Sequence, residues 1–423
     1  MSVGGRARAR EGPRCGALLC SVVVACAGVP GAAQAESYSI ETGSDVRVEA
    51  NDNVNLQAHS PGTVKTLALS TSISASRRAE NSATLVGATL TALQQWGRGS
   101  NDRIDGRVGV TQSFNDALNT VAASLQYTQD FNNAVQNADV TVNPGQRRTA
   151  SVSVGWGRAL TERLSVNTQV ETSQTNYGQQ ASAAVASRNY RNTQVSAGLS
   201  YAVTEVDSVS VQASHSDYRS EGGGNRSLTN DISISGSRVL GERGSVSLQL
   251  GTYQTDSNSP RARLVCPVAV VFCQLGLAQP IVVRDRAQSS GSGLIYGATY
   301  RYQFGETSSL SLAVGSRQSP SGAGEVVQNK TLSLGVAHSF SETINGAVSL
   351  AQSRSAYQVT TTSQRSQQRT VAVSLSKQLA RDLSLQSSYQ WTEADNVGFG
   401  GTAHSNSIGV ALKYDWPTFQ ASR

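Results

Sequence analysis

Side chains able to do chemistry are few in this chain and lie far apart. Of five cysteines, Cys15, Cys20 and Cys26 fall within the first 35 residues, leaving Cys266 and Cys273 in the most apolar internal run, 264–273. Two thiols with no neighbouring histidine fall short of a metal-ligand set, whereas an oxidising compartment would join them as a disulfide. A pinned segment of that kind would either fold into a pore mouth and narrow it or serve as a stapled surface loop. The histidines are His59, His215, His338 and His404, and acyl-transfer chemistry would need one of them beside a serine and a carboxylate or amide. Their spacing suits strand ends, loops and interfaces better, and neither a G-x-S-x-G elbow nor a glycine-rich phosphate loop is present. The chain is therefore expected to have no catalytic residue, no cofactor and no metal.

The first 35 residues read as a targeting segment. Arg6, Arg8, Arg10 and Arg14 precede an apolar stretch, Ala17 to Ala27, too short to span a bilayer, and Ala33-Gln34-Ala35 offers a cleavage site before Glu36. An alternative takes Val23-Val24-Ala25-Cys26 as a lipidation box with Cys26 as the anchor. Cleavage after Ala35 would remove four arginines and Glu11, lowering the net charge from +6 to +3. So small a charge argues against nucleic acid as a partner.

The elements that must position everything else are strands. Apolar residues recur at period two, as in Val246, Leu248, Leu250; Leu310, Leu312, Val314; Leu332, Leu334, Val336; and Val371, Val373, Leu375. The residues between them are mostly Ser, Gln, Thr, Ala and Gly, which puts one row on each face of a sheet. Short polar turns punctuate the pattern at Phe114-Asn115-Asp116, Leu160 to Arg163, Val203 to Glu205, Leu240 to Arg243, Phe304 to Thr307, Phe340 to Thr343 and Leu379 to Asp382. Most are separated by about 36 to 46 residues, room for two strands of about 13 to 16 residues and one long loop. Long polar connections (132–145, 179–187, 221–225, 258–288, 357–363 and 394–402) all fall on the other side of this alternation.

Strands past a dozen residues suit a membrane crossing better than a sandwich. The fold predicted is thus all-β: a transmembrane antiparallel up-and-down barrel over 44–416, of about eighteen strands, or sixteen without the first two. Residues 1–35 would be the signal peptide, 36–43 a short periplasmic segment and 417–423 a periplasmic tail. With the apolar row facing lipid, the inward rows carry small neutral hydrogen-bonding groups, among them Gln378, Gln386 and Gln390. Arg301, Arg317 and Glu171 are scattered inward charges, too few for a ring of one sign. These six are the pore-lining candidates. Tyr190 and Tyr218 also fall on inward parity, without forming a continuous track.

Aromatic residues cluster where interfaces would lie: Phe114, Phe304 and Phe340 beside equivalent turns, Tyr389 and Trp391 near the opposite end, and Tyr414 and Trp416 closing the last strand. That strand alternates through Ile408, Val410 and Leu412 to Trp416, resembling the signal read by the barrel-insertion machinery, although residues 417–423 extend beyond it. Together with Asn51-Asp52-Asn53-Val54-Asn55-Leu56, the row of turns and the ending Lys413-Tyr414-Asp415-Trp416, the mature chain resembles the β-barrel porin family of Gram-negative outer membranes. That family includes outer-membrane proteins found with exopolysaccharide and exosortase systems. The resemblance implies a passive pore or the outer-membrane channel of a polysaccharide export system, with outer-membrane lipid, the insertion machinery, polysaccharide and export-system proteins as partners. Alternatives are a structural barrel, a secreted β-rich adhesin and, last, an outer-membrane lipid enzyme. Strict alternation of short and long connections argues against a solenoid, whose coils share one period.

Overall fold

The computed structural model describes residues 36–98, 102–132, 145–178, 188–221, 224–265, 281–320, 326–357, 365–396 and 401–422. The expected signal peptide and both Cys266 and Cys273 lie outside the described residues. The strands are β1 (Ser37–Asn51), β2 (Val64–Ala79), β3 (Ser82–Trp96), β4 (Arg103–Asn115), β5 (Asn119–Asn132), β6 (Gly145–Ala159) and β7 (Leu164–Tyr177). They continue with β8 (Tyr190–Ala202), β9 (Asp207–Ser220), β10 (Arg226–Leu240), β11 (Gly244–Val265), β12 (Ile281–Phe304) and β13 (Ser308–Pro320). The last are β14 (Val326–Ser341), β15 (Ile344–Tyr357), β16 (Arg365–Ala380), β17 (Leu383–Asn396), β18 (Thr402–Asp415) and the short β19 (Phe419–Ser422).

Each strand from β1 to β17 pairs antiparallel with the next, and β1 pairs with β18, so the sheet closes on itself. The wall has eighteen strands because β19 continues β18 rather than adding to it. Gly43 lies opposite Asp415, whereas Ile40 lies opposite Phe419, a register offset by one residue. Pro417 explains the offset: it has no N–H to give the ladder, so the chain bulges there and pairs again beyond it.

Four boundaries differ from the sequence expectation. The first strand runs over Ser37–Asn51, so residues 37–43 belong to the wall instead of preceding it, and Phe419–Ser422 pair with β1 instead of forming a free tail. Residues 52–57, expected to extend that strand, and 62–63, expected to open the next, belong instead to a folded connection over 52–63. There Asn53 Nδ2 donates to the carbonyls of Gln57 (2.8 Å) and His404 (2.9 Å), and Leu56, at φ 46°, is buried with Ala394 and Ala403. The segment 258–288, expected to be a loop, continues the β11–β12 ladder as far as Val265 opposite Ile281. Its pairing is fixed by the facing strand, which period-two reading of one segment cannot detect.

That hairpin also leaves its neighbour early. β12 pairs with β13 only from Phe304–Ser308 to Tyr296–Ser316, while β13 stays bonded to β14 up to Pro320 opposite Val326. Beyond the split, Thr255 of β11 donates its hydroxyl to Gln318 Oε1 of β13 at 3.0 Å. The route between them passes Gly291 and Gly293 of β12, and a Cβ at Gly293 would sit 2.5 Å from the Tyr253 hydroxyl. Glycine is required where an aromatic ring lies this close to a strand.

Short turns occupy one end of the barrel, as the alternation predicts, with an eighth at Glu80-Asn81 between β2 and β3. Four share one device, a side-chain oxygen accepting the amide N–H three residues on: Asp116 from Asn119 (2.6 Å), Thr161 from Leu164 (3.0 Å), Thr204 from Asp207 (3.0 Å) and Ser341 from Ile344 (3.1 Å). Gly241 and Gly305 serve two others with φ of 63° and 66°, a conformation costly for any residue with a Cβ.

Candidate functional site

Two rows alternate along every strand, and crowding tells which one faces the barrel axis. On β8, Val195, Ala197 and Leu199 are exposed, whereas Ser196 and Gly198 between them are buried. Large aliphatic side chains stand exposed on the first row throughout, Leu250 at 65% and Ile408 at 62% being extreme. The second row packs against itself, as the concave side of a closed sheet must. Its hydroxyls bond across strands: Ser124 with Ser153 (2.7 Å), Ser210 with Ser235 (2.7 Å), Thr229 with Thr255 (2.9 Å) and Thr149 with Thr175 (3.2 Å). Crowding rises toward the end opposite the short turns, where Thr175, Tyr218, Thr255, Thr392 and Ser405 are fully buried or nearly so.

All six lining candidates fall on this inner row. Glu171 is on β7, Arg301 on β12, Arg317 on β13, Gln378 on β16, and Gln386 and Gln390 on β17. The structure does not bring them together. Gln378 Nε2 donates to the Arg381 carbonyl (3.0 Å) at the turn, which fixes it at the rim, and Gln390 Nε2 donates to Thr392 Oγ1 (3.1 Å). Other inner-row ions stand on β1 and β18, the two strands that meet where the barrel closes. Asp45, Arg47 and Glu49 stand on β1, with Arg47 Nη2 3.7 Å from Glu49, and Lys413 and Asp415 on β18 are 2.9 Å apart. Both signs occur side by side, so among the described residues no ring of one charge forms.

One arc of the inner wall is different. On β5 and β6, Arg147 grips Asp130 with two parallel bonds, Nε at 2.9 Å and Nη2 at 2.6 Å. One strand over, Arg103 Nε donates to Asp105 at 3.1 Å, and its guanidinium lies 4.9 Å from the centre of the Phe131 ring. Arg147 faces Tyr177 across the β6–β7 ladder. From there the rings step across three strands, Tyr177 to Tyr190 at 6.5 Å and Tyr190 to Tyr218 at 5.3 Å. Parity alone places two of these tyrosines inward, but the continuity of the stripe depends on register, which the sequence does not show.

The seven aromatic candidates stand on the outer row. Phe114, Phe304 and Phe340 are exposed at the turn end, where Phe304 meets Tyr302 edge-on at 4.8 Å and Phe340 meets His338 at 4.7 Å. Tyr414 and Trp416 are perpendicular at 5.0 Å, and Tyr389 donates to Asn406 at 2.9 Å. Trp391 stacks on His404, whose Nδ1 is 3.4 Å from Glu393. His338 Nδ1 lies 2.7 Å from Ser308 Oγ and His215 Nδ1 2.7 Å from Asn230 Oδ1, both on the outer row. Among the described residues no histidine meets a serine and a carboxylate together.

No protein-family model matches the chain, and no curated protein matches it by sequence. Solved structures similar to it are outer-membrane barrels. The ferric-catecholate import receptor Fiu from E. coli K12 in its open form shares 9% identity at a TM-score of 0.47, covering 92% of this chain and 82% of that one. The unliganded ferric citrate transporter FecA shares 11% at 0.49, covering 91% and 70%. OccAB2 of Acinetobacter baumannii shares 10% at 0.44, covering 90% and 98%. At such distances the solute-facing residues have to be read from this chain alone.

Proposed function

We propose that this chain is an exported outer-membrane barrel that lets uncharged polar solutes cross passively. One observation supports this most directly: a closed wall of eighteen strands with exposed aliphatics on its outer row and cross-linked hydroxyls on its inner row. Barrels of this strand number are too wide for side chains to fill and hold water. The outer row is then solvated by hydrocarbon and flanked by aromatic residues at both ends. With inner-row ions of both signs neutralising one another, the field in the lumen favours neither cations nor anions. Of such solutes, glycan chains suit the wall best, and the barrel would then be the outer-membrane conduit of a polysaccharide export system.

Planar-bilayer recording of the purified protein tests the pore. Steady unit conductance with nearly equal permeability to small cations and anions is the expected result. A folded, membrane-inserted protein that carries no current would overturn it and leave a structural barrel as the reading.

A further inference from the structure

Wetting a wall needs only small hydroxyls and amides, so the stripe of rings on β7, β8 and β9 calls for another explanation. Tyr177 and Tyr190 are half-buried, with part of each side chain open, and Tyr218 behind Tyr190 is 1% exposed. Tilts of 45° and 41° between successive rings give a curved aromatic surface that follows the wall. Along the same inner row come Arg147, facing Tyr177, then Asp130, then Asp105 with Arg103. Two carboxylates and two guanidiniums carry no net charge but offer many donors and acceptors close together.

We infer that the inner wall from β4 to β9 is a binding subsite for an uncharged oligosaccharide. The inference rests on the pore reading above and adds where the solute is held. A sugar ring has one face of C–H groups and a rim of hydroxyls. Rigid, amphipathic tyrosine rings take the apolar face, and the paired ions next to them take the hydroxyls. An ion would be drawn to an excess of charge that this stripe lacks, and a lipid tail would have no use for four ionised groups. At about 4.8 Å per strand, six adjacent strands span roughly 24 Å of wall, a length suited to a chain of sugars rather than a single ring.

Block of ion current in planar bilayers by maltohexaose tests the site, with a polyethylene glycol of similar hydrodynamic size as the comparison and each variant's own current as reference. Wild-type protein is expected to show saturable block by maltohexaose and none that saturates with the polymer. Tyr190→Ala should raise the half-blocking concentration about tenfold, the loss of roughly one stacking contact, while Tyr190→Phe, which keeps the ring, should stay close to wild type. Heat-modifiable migration on gels reports whether each variant is folded. If Tyr190→Ala fails to fold, the comparison of sugar with polymer on wild-type protein decides alone. Equal half-block in wild type and Tyr190→Ala, or equal behaviour of sugar and polymer, overturns the subsite and leaves the pore standing; absence of ion current overturns the pore and the subsite with it.

Discussion

Two arcs of one wall share an exterior and differ inside. From β14 to β17 the inner row runs Thr331, Ser333, Gly335 on one strand, Ser349 and Ser353 on the next, then Thr370, Ser374 and Gln386, with no ion between them. From β4 to β9 the same row carries the Arg103–Asp105 and Arg147–Asp130 pairs and three tyrosines. Outside, both present exposed aliphatics: Leu332 and Val336 on β14, Val152 and Val154 on β6. The neutral arc is what a wetted wall requires. Ion pairs and rings on the other arc cost side-chain entropy and desolvation without improving the strand ladder, so their presence points to a solute.

The largest effects should come from the shared exterior. Leu334→Arg on β14 and Val154→Arg on β6 are each expected to cost about 2–4 kcal/mol of folding into vesicles, measured by urea titration, because both put a charge into hydrocarbon. Clearly unequal losses would mean that the two arcs differ outside as well as inside. Smaller effects belong to the interior. Asp130→Ala leaves Arg147 without its carboxylate; each partner is about a third exposed or less (32% and 27%), which limits the loss to about 1 kcal/mol. Reversal potentials in a salt gradient should then shift toward anions. Ser374→Ala in the neutral arc should change stability by less than about 0.5 kcal/mol and leave the reversal potential unmoved; a shift there would erase the distinction.

The smallest difference lies in the turns. In the β4–β5 turn the amide N–H groups of Leu118 and Asn119, and then the Asn119 side chain, donate to Asp116 and hold its carboxyl below its ordinary value of 3.8. A lowered native pKa contributes stability above the unfolded value, lost as pH falls through the native one. Ser341 does the same structural work in the β14–β15 turn without titrating. Protection of the Leu118 and Asn119 amides, corrected for intrinsic exchange, should fall in acid below pH 3.8 while that of Ile344 holds. Parallel loss at both turns would show that the carboxylate is not the cause.

Strand number, direction and the division into two rows were legible in the sequence because period two and turn spacing are local. Leu310, Leu312 and Val314 declare their face without reference to any partner. The site was legible only in part. Tyr190 and Tyr218 had the right parity, yet their alignment with Tyr177 and Arg147 follows from three separate registers. β1 was misplaced because between Ser37 and Asp45 only Tyr38 and Ile40 mark an apolar row, and the far half of the β11–β12 hairpin because Pro260 and the charges around it look like loop. In each case the determining partner lies on another strand.

The meeting of β1 with β18 has a consequence for timing. Trp416 Nε1 donates to Ser44 Oγ at 3.2 Å across 372 residues of chain. Bringing such distant ends together costs about 4 kcal/mol more in chain entropy than closing a four-residue turn. Every other seam can zip from a neighbouring hairpin, but this one waits for the final strand to arrive. Until then β1 keeps an open ladder of amides and carbonyls, ready to pair with any extended strand it meets.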